Sequence, residues 1–133
     1  MRDEIIKEIC CGHSHTLVIN IHGIVFGWGM NEQGQLGLGP KAPPIIRRPV
    51  LNPFLANVVK LSAGNEHSIA VTKNGDLYSW GGGGLTGTGD QTNITVPTVI
   101  QLNKVSIAVC GGLHTIAVTK DGEIYSWGST EGG

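Results

Sequence analysis

The chain has 133 residues, of which 40% are apolar, 14% are charged and 21 are glycine, with a formal net charge of −1. That length suffices for one ordinary domain with its own core. The near-neutral balance lacks the basic surface that grips phosphate backbones, so nucleic acid is not an expected partner. No apolar run approaches a membrane span, so no membrane association is expected.

The N-terminus, MRDEIIKEICC, is charged from its second residue and lacks the apolar core of a secretion signal. An intracellular protein, cytoplasmic or nuclear, is expected. The segment IIKEIC reads as a first strand and leads into Gly12, which stands three residues before His15 and four before Thr16. Gly23 follows eight residues after that histidine, and Trp28-Gly29 five residues later. Next come the turn-rich stretch Asn31-Glu-Gln-Gly-Gln-Leu-Gly-Leu-Gly39 and the connector PKAPPIIRRPVLNPF from Pro40 to Phe54.

From there the chain repeats itself. VVKLS reads as a strand and leads to Gly64, His67 and Ser68; SIAVT and LYSW alternate with period two about Asn74-Gly75; then come Trp80-Gly81 and GGGG. TVIQL follows Pro97, VSIAV follows it, and the pattern returns as Gly111, His114, Thr115, TIAVT, Asp121-Gly122, IYSW and Trp127-Gly128. The steps are 52 and 47 residues, and the five-residue difference falls wholly in turn-like sequence. Asn-Gly and Asp-Gly between alternating runs predict two-residue hairpin turns. Four short strands per unit of roughly 50 residues read as propeller blades.

These residues resemble the regulator-of-chromosome-condensation repeat over nearly the whole chain. The resemblance is carried by Gly-x-x-His-Thr, the Asp/Asn-Gly turn, Tyr-Ser-Trp-Gly and the Asn31–Gly39 stretch. A WD-type propeller would place Asp after Trp, whereas every Trp here precedes Gly. The expected fold is all-β, with blades of four antiparallel strands. Repeat 1 spans about 5–54, repeat 2 about 55–103 and repeat 3 about 104–133. The last copy stops where the first begins its Gln-Leu-Gly, so eleven strands, a little under three blades, are expected. The resemblance implies a share of a seven-bladed ring, completed by further blades from this or another chain.

One histidine per copy, at invariant spacing, reads as scaffold: His15, His67 and His114 each answer the same packing problem. A metal site would need them gathered around one ion with carboxylate or thiolate partners. Trp28, Trp80 and Trp127 are assigned to the repeat's core, and Gly12, Gly23, Gly64, Gly75, Gly111 and Gly122 to its turns. Ultraviolet receptors similar in repeat type carry extra Trp and Arg between the Gly and the His. The pairs here, His13-Ser14, Asn65-Glu66 and Gly112-Leu113, contain neither. Three cysteines, an odd number, argue against a disulfide scaffold. Cys11, Ala63 and Cys110 share one position, which suggests a small buried site.

No nucleophile–base–acid set and no phosphate-cradling Gly-rich loop ending in Gly-Lys-Ser/Thr emerges. A non-enzymatic protein without a cofactor is expected. Function is assigned to the columns that differ: Ser14, Glu66 and Leu113 before the histidines, Glu32 and Gln33 after Trp-Gly, and Arg47 and Arg48 in the connector. These loops are expected to hold a protein partner. The resemblance adds guanine-nucleotide exchange on a Ran-like small GTPase as the alternative. It also implies ubiquitin-ligase and cytoskeletal or ciliary assemblies as partner classes.

Overall fold

A computed structural model of the chain describes residues 5–82, 85–89, 92–102 and 104–129. Strands β1 (Ile6–Cys11), β2 (His15–Asn20), β3 (Val25–Met30) and β4 (Ile45–Leu51) form one antiparallel sheet in chain order. Strands β5 (Val58–Ala63), β6 (His67–Thr72), β7 (Leu77–Gly81) and β8 (Ile94–Ile100) form the second. Strands β9 (Val105–Cys110), β10 (His114–Thr119) and β11 (Ile124–Gly128) form the third. The first strands of successive sheets adjoin, β1 against β5 and β5 against β9. The sheets are therefore propeller blades seated side by side.

Period-two alternation sends each central strand's side chains to two neighbouring seams. Leu17, Ile19 and Val25 of the first blade meet Ala70, Tyr78 and Trp80 of the second. On its opposite face the second blade sends Ile69, Val71 and Leu77 against Val105, Ala108 and Ala117 of the third. Strand β6 is accordingly buried at every residue. Leu17 and Ile116 occupy the same repeat position, yet Leu17 is 0% exposed and Ile116 46%. The difference is the next blade, which covers the first and not the second. Burying a Leu-sized side chain stabilises by about 1.5–3 kcal/mol, so blade stacking dominates the energetics.

The hairpins depart from expectation. Thr72 N–H donates to the Asp76 carbonyl at 2.9 Å, enclosing three residues, Lys73, Asn74 and Gly75, instead of two. Gly75 N–H returns to the Thr72 carbonyl at 2.9 Å, and Gly75 stands at φ 86° while Asn74 keeps negative φ. This is a turn followed by a left-handed glycine, the common three-residue solution. The other copies repeat it, with Gly23 at φ 77° and Gly122 at φ 87°. The residue ending the strand supplies an extra acceptor each time. Thr72 Oγ1 and Thr119 Oγ1 accept from Asp76 and Glu123 N–H, and Asn20 Oδ1 accepts from His22 and Ile24 N–H.

Two further expectations are corrected. The middle of the Pro40–Phe54 connector is strand, not loop: β4 begins at Ile45, so Arg47 and Arg48 lie exposed on the outermost strand of the first blade. Pro49 is tolerated there, as Pro97 is in β8, because an outer strand leaves one side without a ladder partner. The shared Cys11/Ala63/Cys110 position is not uniformly buried. Cys110 packs on Ser62 of the second blade, whereas Cys11 has no preceding blade against it and is exposed. Gly83 and Gly84 of the glycine run lie outside the described residues.

The hairpin geometry makes Gly122 a clean probe of backbone conformation, since a Cβ there would meet nothing within 4 Å. Gly122→Ala should lose about 1 kcal/mol, the strain of left-handed backbone alone. Urea unfolding measures it, and an unchanged midpoint would contradict the three-residue turn.

Candidate partner-binding site

The repeated residues meet across the seam between blades. Trp80 Nε1–H and Ser68 Oγ–H both donate to the Gln35 main-chain carbonyl, each at 2.8 Å. Ser68 Oγ also lies 2.9 Å from His15 Nε2. The hydroxyl's single proton goes to Gln35, so Ser68 accepts from His15, which must carry its proton on Nε2. His15 Nδ1 is then a buried atom with no partner. Protonating it would place a second N–H where nothing accepts it. Burial, with His67 nearby, lowers the His15 pKa from 6.5 to about 4.

Gly12 and Gly37 are glycine for the same reason. A Cβ on Gly12 would collide with the His15 ring, and one on Gly37 would stand 2.9 Å from the Trp80 indole. The second seam repeats the arrangement in part. His67 Nε2 lies 3.0 Å from Thr115 Oγ1, Gly64 sits under the His67 ring and Gly87 against Trp127. Trp127 Nε1, however, is buried without an acceptor. Burial also lowers the His67 pKa.

Histidine thus reaches forward to the next blade and tryptophan back to the previous one. Trp80 is 0% exposed, whereas Trp28, on the first blade, and Trp127, although Gly87 of the second blade stands against it, are only partly buried. His114 is likewise partly exposed, and a Cβ on Gly111 would touch only the His114 carbonyl oxygen at 3.9 Å, not its ring. Of the tryptophans assigned to the core, one is wholly enclosed.

With these residues engaged in the seam, the variable columns face outward. The β1–β2, β5–β6 and β9–β10 turns share one end of the blades with the β3–β4 and β7–β8 connections, here called the loop face. A cleft on this face brings together Ser14, Glu32, Gln33 and Glu66, from two blades. Leu113 lies on the same face one blade further on and is 39% exposed. Arg47 and Arg48 on β4 are not part of the cleft.

The Asn31–Gly39 stretch builds one wall. Asn31 is 7% exposed; its N–H donates to the Pro44 carbonyl, its Nδ2 to the Pro43 carbonyl, and its Oδ1 accepts from Leu36 N–H. The loop is therefore knotted on itself, and Glu32 and Gln33 ride on a fixed turn. Gln35, Asn65, Met30 and His13 also line the cleft and were not singled out from sequence. Gln35 lies in the same stretch after Trp28-Gly29 from which only Glu32 and Gln33 were named as candidates.

Burial pushes the Cys10 thiol up to about 12 and Cys110 to about 11, leaving neither a ready thiolate. Among the described residues no three His, Cys, Asp or Glu side chains are grouped to hold a metal ion.

The seam histidines make stability depend on pH. Their folded pKa values lie below the unfolded 6.5, so the unfolded chain binds more protons as pH falls from that value toward about 4. The stabilisation is fully present above pH 6.5 and is lost through that window, roughly 3 kcal/mol for His15. Thermal unfolding should therefore show a flat midpoint above 6.5 and a steep decline below it. His15→Gln, which keeps a donor for Ser68 but cannot titrate, should flatten part of the decline. A wild-type midpoint constant down to about pH 4.5 would contradict the neutral seam.

The matches to known proteins agree with this geometry. The model of the regulator of chromosome condensation (RCC1) repeat matches residues 22–71, and a second RCC1 repeat model matches residues 6–35, 58–90 and 105–133. The Ultraviolet-B receptor UVR8 of Arabidopsis thaliana is 40% identical over 111 residues, covering 80% of this chain and 25% of the receptor. Human WBSCR16 superposes with a TM-score of 0.80 at 26% identity, over 95% of this chain and 33% of that one. Prp20p from Saccharomyces cerevisiae, described with its binding to Gsp1p and histones, superposes at 0.76 and 25% identity, over 92% of this chain and 33% of its own. The chain thus spans a third or less of each of these relatives. With the three matches of the second model falling one to a sheet, and the first model's match running from the first sheet into the second, the chain belongs to the RCC1 repeat family of β-propellers.

Proposed function

We propose that the chain is a non-enzymatic interaction module whose loop face holds a protein partner. One observation carries the reading: the cleft that gathers Ser14, Glu32, Gln33 and Glu66 on a wall braced by the seam. The histidine and tryptophan columns are taken up largely in packing, while Ser14, Glu32, Gln33 and Glu66, from columns that differ, are presented together. Loops on a rigid frame are where binding residues concentrate.

The test is charge reversal on the exposed rim. Glu32→Lys with Glu66→Lys should abolish capture of specific proteins from a cell extract and shift stability by no more than about 0.5 kcal/mol. Capture unaffected by this pair, and by Leu113→Asp, would place the partner surface elsewhere.

A second reading, exchange on a Ran-like small GTPase, is favoured by the likeness to Prp20p, whose description names Gsp1p. It predicts accelerated release of a fluorescent GDP analogue from such a GTPase. Release no faster than the intrinsic rate leaves the interaction module as the account.

A further inference from the structure

The two seams differ where they meet the outermost strands. In the first, Gly37 and Gly39 are buried. Leu38 packs against the core cluster, and Asn52 Nδ2 donates to the Leu36 and Gly37 carbonyls at 3.4 and 3.1 Å. In the second, Gly87 and Gly89 hold the matching places, also at positive φ, yet both are exposed. Thr88 stands where Leu38 does, shorter and hydroxylated. Ile100 stands where Asn52 does and has no amide with which to hold the turn.

At this place the second seam holds a cavity of about 420 Å³ between β8 and β11. That is within the range of about 300–1,000 Å³ usual for ligand sites. Ile100, Leu102 and the Tyr125 ring give it apolar walls, and Thr98 and Tyr125 are exposed, so it is open to solvent. Trp127 lines it too, and Trp127 Nε1 is a buried atom with no hydrogen-bond partner. A Cβ on Gly87 would stand 2.5 Å from that nitrogen, so it lies against the turn at the cavity wall. In the first seam the matching nitrogen of Trp80 gives its proton to the Gln35 carbonyl at 2.8 Å. An indole N–H can only donate, and leaving it unpaired in the interior is costly.

We propose that this cavity receives a short extended segment of a partner protein. Its leucine or isoleucine side chain lies against Ile100, Leu102 and Tyr125, and a main-chain carbonyl accepts from Trp127 Nε1–H. The first seam shows the fit, since a leucine side chain and a main-chain carbonyl of the chain itself hold the matching places there. Without the Asn52 brace, the turn at Gly87 yields as the carbonyl enters. No charged side chain lines the cavity, so an aliphatic segment suits it and a charged one would enter unpaired. The site shares no residue with the loop-face cleft and does not depend on that reading.

The indole N–H signals of the isotope-labelled full chain, assigned through Trp28→Phe and Trp127→Phe, test it by nuclear magnetic resonance. N-acetyl-leucine methylamide should move the Trp127 signal downfield, saturably and with the millimolar affinity that suits so small a probe. The Trp80 signal should stay in place, because its proton is already given to Gln35. N-acetyl-glycine methylamide should move neither. Thr88→Leu, which installs the first-seam residue and fills the space, should weaken the leucine probe about tenfold or more. Thr98→Lys, an exposed change on the cavity wall, should weaken it as much while leaving the core alone. Equal response to both probes, no response, movement of Trp80 in place of Trp127, or indifference to both variants would overturn the proposal. A Trp127 signal as far downfield as that of Trp80 in the free chain would also overturn it, since the chain would then satisfy the indole itself.

Discussion

One carbonyl group organises this molecule. The Gln35 oxygen accepts from Trp80 and from Ser68, and Ser68 accepts in turn from His15, so a single acceptor ties two blades through three side chains. Around it the packing has little freedom, because Gly12 must lack a side chain beneath the His15 ring and Gly37 beside the indole. A blade here is not self-sufficient. It supplies the histidine and glycine turn of one seam and the hydroxyl and tryptophan of the other, and each half is useful only against a neighbour. This is the nearest-neighbour logic of repeat proteins, written at the scale of individual hydrogen bonds.

The seam also explains why function can vary without disturbing the fold. Its groups lie between the sheets, and its glycines free the turns above them to carry any short pair, as His13-Ser14, Asn65-Glu66 and Gly112-Leu113 show. Gln35 joins the two roles. Its main chain belongs to the seam and its side chain to the cleft, so the scaffold that sets blade spacing also sets the cleft wall. A site held this way is pre-organised, and less ordering entropy opposes binding.

Much of this was legible in the sequence because repetition exposes columns. The strands, their order and the alternation of Tyr78 and Trp80 against Ser79 follow from period two and from spacing common to all copies. The hairpins were misjudged by one residue. Asn74-Gly75 fits a two-residue turn locally, but Thr72 accepts a hydrogen bond from Asp76 and lengthens the loop. Cys11 was misplaced because position within a repeat predicts burial only where a neighbouring blade exists. Ser14, Glu32, Gln33 and Glu66 were visible as variable residues, while Arg47 and Arg48 were drawn in by charge alone. Gln35 was hidden within a motif, since nothing in one dimension separates a residue's carbonyl from its amide.

The account turns on whether the seam is a coupled unit or a set of independent contacts. A double-mutant cycle on His15→Ala and Ser68→Ala, read by urea unfolding at neutral pH, measures this directly. Removing Ser68 leaves His15 Nε2 buried and unsatisfied, and removing His15 takes from buried Ser68 one of its two hydrogen bonds, so each single change should cost about 1–3 kcal/mol. The double variant should cost less than the sum by at least about 1 kcal/mol. Costs that add to within about 0.3 kcal/mol would contradict the seam as the interaction on which the blades depend.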